Sequence, residues 1–167
     1  MSARGLGLLL AIGALLIAGC DSDEDAGDLT TPGDGVTRQI SGRWIGKLHQ
    51  KGLPPFRIAA DIGSDSMGHV AYTGIDCGGS WQLTGVSQSL PPQYAFTETI
   101  EEGAGGSCKG TGTVSLSPIQ DDAPNSPAYS QMTYRFTGGG VTSSGQLRRT
   151  DIEHLMPIFR ESGVTPP

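Results

Sequence analysis

Three glutamates, Glu98, Glu101 and Glu102, make the densest acidic group in the part of the chain that reads as folded. Paired carboxyl groups can carry out glycoside hydrolysis when burial keeps one protonated and solvent keeps the other ionised. These three stand at the end of a candidate strand, directly before the glycine-rich run Gly103 to Gly112. Their expected setting is therefore a solvated hairpin end rather than a catalytic centre. The glycine run lacks the Lys-Ser/Thr ending of a phosphate loop and does not lead into a helical pattern.

The histidines, His49, His69 and His154, are scattered. His49 and His69 fall on neighbouring candidate strands and can approach each other, but no carboxylate is placed with them to complete a metal set. Exposed polar positions account for them. No Gly-x-Ser-x-Gly elbow precedes a helix, and no Ser, His and acid trio is suggested locally. Asp21, Asp23 and Asp25 alternate like the start of a calcium loop. Ala26 and Pro32, however, stand where the EF-hand requires Gly and Glu. The expectation is a protein that is not an enzyme, with no metal and no cofactor.

The elements that would position these residues are strands. Short alternating segments separated by Gly, Pro, Asp and Ser recur from Ile40 to Arg149. They run Ile40 to His49, Phe56 to Ile62, then around Val70 and Tyr72, and around Trp81 and Leu83. Tyr94 to Ile100, Thr111 to Leu116, Met132 to Phe136 and Val141 to Arg149 follow. Most connections suit antiparallel neighbours, the exception being the proline-rich stretch Pro118 to Pro127. The expected fold is all-β, an antiparallel up-and-down barrel of about eight strands or a sandwich. Trp81, Tyr94, Phe96, Tyr134 and Phe136 alternate along strands and point inward, to fill a core or to line a small apolar cavity. A short helix is expected after the strands. Thr150-Asp151-Ile152-Glu153 has capping-box spacing, Ile152, Leu155, Met156 and Phe159 share a face, and Pro157 interrupts the run into two short turns.

The chain has 26 Gly and 11 Pro in 167 residues and a net charge of −6. Much of that charge lies between Asp21 and Asp34, in a stretch with too little apolar surface to offset chain entropy, which reads as a disordered tether. The remainder shows no basic stripe, which argues against nucleic-acid binding. Four segments result: a signal peptide at 1–19, a tether at 20–35, the β domain at 36–150, and a helix with its tail at 151–167.

Met1 to Gly19 carries early positive charge at Arg4, an apolar run from Leu6 to Ile17, and small residues before Cys20, the pattern of a secretory signal. At about 1.5 Å per helical residue that run is too short to cross a bilayer core of about 30 Å. Ile17-Ala18-Gly19-Cys20 resembles the lipobox of bacterial lipoproteins. The resemblance implies cleavage before Cys20, a diacylglyceryl group on its thiol and frequent acylation of the new amino terminus, enough for stable anchoring. It also implies a place in the cell envelope, on the periplasmic or extracellular face of a bacterial membrane. Asp21 resembles the inner-membrane retention signal of enteric lipoproteins. With Cys20 taken by lipid, Cys77 and Cys108 remain to form a disulfide in an oxidising compartment.

Ser41-Gly42-Arg43-Trp44 contains the Gly-x-Trp that opens the first strand of lipocalins, and the domain resembles that family. The resemblance implies that Gly42 and Trp44 close one end of a barrel, with an arginine near the last strand, Arg148 or Arg149, packed across the Trp. Of these, Arg148 is the expected partner. The function implied is non-enzymatic binding of a protein or a small apolar ligand. An envelope inhibitor of lysozyme or a protease is the alternative, since small disulfide-linked β-barrel lipoproteins include lysozyme inhibitors. An enzyme using Glu98, Glu101 and Glu102 stands last. Mass spectrometry of the mature chain is expected to find Cys20 as its first residue, carrying a diacylglyceryl group. A chain that keeps residues 1–19 and an unmodified Cys20 would remove the anchor.

Overall fold

The computed structural model describes residues 37–103, 110–119 and 129–165. The expected signal peptide and tether, with Cys20, and also Cys108 lie outside the described residues. Within them the strands are β1 (Gly42–Gln50), β2 (Phe56–Ile62), β3 (Met67–Thr73), β4 (Cys77–Val86), β5 (Tyr94–Gly103), β6 (Gly110–Ile119), β7 (Gln131–Gly138) and β8 (Val141–Arg149). A helix, α1 (Ile152–Ser162), follows them. Each strand pairs antiparallel with the next, and β8 returns to β1 through Ile45↔Arg148 and Leu48↔Gly145. That last ladder makes an up-and-down barrel and excludes the sandwich.

Closure gives every strand an inside and an outside, so the period-2 alternation of a strand becomes a core list. Trp44 and Leu48 of β1, Ile58 and Ile62 of β2, Val70 and Tyr72 of β3, and Tyr94 and Phe96 of β5 join one interior cluster. The opposite parity of β1 to β3 places Ile45, Ala59 and Ala71 outside, where Leu155, Ile158 and Phe159 of α1 cover them. Alanines at the second and third of these positions let the helix lie close to the sheet.

Two details of α1 differ from the sequence expectation. The N-cap is Asp151, not Thr150, and its carboxylate accepts from the His154 backbone N–H at 3.0 Å. Thr150 is still engaged with the sheet, donating its N–H to the Arg43 carbonyl. The helix is also continuous through Pro157. That residue lies on the exposed side, where water can satisfy the carbonyl left without an N–H donor. The buried face accordingly rotates to Leu155, Ile158, Phe159 and Ser162, leaving Ile152 exposed.

One end of the barrel is closed by Trp44, which is fully buried and donates its indole N–H to the Ile40 carbonyl at 2.8 Å. The arginine over its ring is Arg149, with Cζ 4.6 Å from the ring centroid. Arg148, the expected partner, is exposed on the outer face. The parity of β8 decides between them, because Leu147 and Arg149 share the inward side. The Arg149 guanidinium also donates to the carbonyls of Ser41 at 2.7 Å, Gln39 at 2.8 Å and Tyr129. Gly42 permits this arrangement twice over. Its φ of +117° is one that side chains rarely adopt, and a Cβ there would stand 2.7 Å from Arg149 Nη1. Gly42→Ala is therefore expected to lower unfolding stability by about 1–3 kcal/mol and Trp44→Ala by about 3–5 kcal/mol in urea titrations. Arg149→Lys, which keeps the charge but loses the fork of donors, should cost about 1–3 kcal/mol, whereas Arg148→Lys should be neutral.

Candidate functional site

The end of the barrel opposite Trp44 holds a cavity of about 300 Å³. Its walls carry Phe56, Ile75, Ile100, Phe136 and Val141, and Glu98 and Tyr72 face into it. At the rim, Ser143 donates its hydroxyl to Gln50 Oε1 at 2.6 Å, tying β8 to β1.

Glu98 overturns the solvated-hairpin expectation. It is 2% exposed, on the same face of β5 as Tyr94 and Phe96, inside the barrel. Glu101 has the opposite parity and is exposed, so the two do not form a carboxylate pair. Glu102 lies in β5 opposite Gly78, and its side chain is outside the described residues. The neighbour of Glu98 across the β5–β6 ladder is Gly112. A Cβ at Gly112 would come within 2.1 Å of Phe136 Cε2, so the glycine makes room for that ring beside the carboxyl. The glycine-rich segment thus has at least one steric role.

A hydrogen-bonded chain holds the carboxyl. Trp81 pairs with Glu98 across the β4–β5 ladder and donates its indole N–H to Oε1 at 2.7 Å. Tyr72 donates its hydroxyl to the same oxygen. The Tyr72 hydrogen being committed there, Tyr134 donates to the Tyr72 oxygen at 3.1 Å. Rings pack around this chain. Trp81 lies between Tyr134, with centroids 6.0 Å apart and planes 25° apart, and Phe96 at 5.8 Å. Phe56 meets Tyr72 edge-on at 6.1 Å. A buried polar cluster is tolerated when its members satisfy one another, and this one does so through Oε1.

The other candidates are dispersed. His69 pairs across the ladder with Asp61, whose carboxylate is held by Arg43 at 3.3 Å. His49 lies near the far end of β1, opposite Ser144 of β8. Both are exposed and the strands that carry them are not adjacent, so they do not approach each other. Cys77 begins β4 and lines the cavity. Among the described residues no group of three or more His, Cys, Asp or Glu is placed to hold a metal, and no helix is long and apolar enough to cross a membrane. The chain matches no protein-family model, no curated protein and no solved structure.

Burial pushes the Glu98 carboxyl above its ordinary value of 4.5, against the opposing hydrogen bonds from Tyr72 and Trp81. Burial likewise raises Tyr72 and Tyr134 well above 10.0, with the nearby Glu98 charge adding to it. For each, the folded protein holds the proton more tightly than the unfolded chain. The stability linked to Glu98 is then complete below pH 4.5 and lost as pH rises through its raised value. That linked to the tyrosines is lost only above pH 10.0. The unfolding free energy should fall with rising pH in the first window, by at most about 1.4 kcal/mol per pH unit. Glu98→Gln, which keeps an acceptor for Trp81 and Tyr72 but does not ionise, should be flat there and still fall at alkaline pH. Superimposable acid-to-neutral profiles for the two proteins would contradict this.

Proposed function

We propose that this chain is a lipid-anchored cell-envelope protein whose barrel binds a small, largely apolar ligand without transforming it. The observation that carries the reading is the cavity of about 300 Å³ above Glu98, within the size range of small-molecule sites and walled mainly by apolar and aromatic side chains. Among the described residues the barrel is closed at one end by Trp44 and Arg149 and carries the cavity at the other, which gives it the form of a cup. The resemblance of Gly42-x-Trp44 to the lipocalin opening supports ligand carriage, with Arg149 taking the place expected for Arg148. The lipobox Ile17 to Cys20 supports the anchor. A Cys77–Cys108 disulfide belongs to the same reading, since an exported domain with these two remaining cysteines meets an oxidising compartment.

Trp81 is buried among the residues beneath the cavity, so its emission reports occupancy. Titration of the full chain with 1-methylnaphthalene is expected to change that emission saturably. Ile100→Trp, which fills the cavity, should weaken the binding at least tenfold while leaving the melting temperature within a few degrees. Absence of saturable binding up to the solubility limit, with stoichiometric capture of a lysozyme or a protease instead, would replace ligand carriage by the inhibitor reading.

A further inference from the structure

We infer that the cavity selects a small apolar molecule bearing a protonated amine, with the ammonium seated on Glu98 Oε2. This deepens the ligand-binding reading and rests on it. The asymmetry of the carboxyl is the starting point. Both fixed donors, the Trp81 indole N–H and the Tyr72 hydroxyl, converge on Oε1. Oε2 has no hydrogen-bond partner among the described residues. It is not sealed in either, because Glu98 lines the cavity and no inaccessible side-chain oxygen is left without a partner. A ligand that covers Oε2 of the ionised carboxyl must offer it a donor or strand it, and stranding a buried acceptor costs as much as a lost hydrogen bond.

The surroundings favour a charged donor. Donors on Oε1, backed by Tyr134, stabilise the ionised form of the carboxyl once a cation arrives at the other oxygen. Phe56, Tyr72, Tyr134 and Phe136 place aromatic rings around the cavity, and a desolvated cation gains from such rings. No Lys, Arg or His stands among the described residues that line it. An anionic ligand, such as a fatty acid, finds no counter-charge among the described lining residues and meets the Glu98 carboxylate instead. At about 300 Å³ the space suits one ring with a short chain rather than a long acyl tail.

The test compares three probes of nearly one shape on the purified full chain: 2-phenylethylammonium, propylbenzene and 3-phenylpropanoate. The amine is expected to bind at least tenfold more tightly than propylbenzene, and phenylpropanoate more weakly than both. In Glu98→Gln the preference for the amine should disappear while propylbenzene binds as before or better. Propylbenzene binding that equals or exceeds that of the amine overturns the inference and leaves the cavity reading intact. Retention of the amine preference in Glu98→Gln overturns the assignment to Glu98. Failure of all three probes at millimolar concentration overturns the ligand-binding reading itself, and the inference with it. Should Glu98→Gln not fold, the ranking of the three probes on the unmodified chain decides alone.

Discussion

The guanidinium of Arg149 rests on the Trp44 ring and reaches three backbone carbonyls, those of Gln39, Ser41 and Tyr129. It thereby joins the start of the first strand, the entry to the seventh and the end of the eighth at the seam where the sheet must close. An open sheet of this length would expose two long edges, whereas closure leaves none. Everything inside depends on that closure, because only a closed sheet gives one parity of every strand a common interior. Arg149 succeeds at the seam because its planar fork can serve several acceptors while its face covers an indole.

Within that interior one carboxyl is kept among the described residues, against the tendency of a core to exclude charge. Glu98 is retained through cooperation between strands distant in sequence: Trp81 from β4, Tyr72 from β3 and Tyr134 from β7. The three donors are themselves packed by rings, so the polar cluster is held in place by the apolar one around it. Only Oε1 is served by this arrangement. The other oxygen is thus a point where interior chemistry and cavity meet.

The barrel was legible because alternation survives in nearly every strand and most connections are short. The Gly-x-Trp element was legible as a closing device, yet not its partner, since choosing between Arg148 and Arg149 required the inward parity that Leu147 sets in β8. Glu98 was legible in principle. It continues the alternation of Tyr94 and Phe96, but three clustered glutamates read as surface, and residue type outweighed position. Tyr72 could be placed inward by parity, whereas its meeting with Tyr134 depends on closure bringing β3 and β7 to face each other. The helix cap was misplaced by one residue because Thr150 is drawn into the sheet by Arg43, a tertiary demand with no local signature.

The chain enters the described structure at Thr37, and the 3-10 turn Thr37–Gln39 leads directly into the end of the barrel that Trp44 closes. Anything that tethers the preceding residues to a surface therefore holds the barrel by its base. The mouth, framed among the described residues by the β1–β2, β3–β4 and β7–β8 connections, lies at the other end of the barrel from that entry. A molecule that enters through the mouth reaches Glu98 without passing Trp44, so the end that receives the chain and the end that admits a ligand are separate.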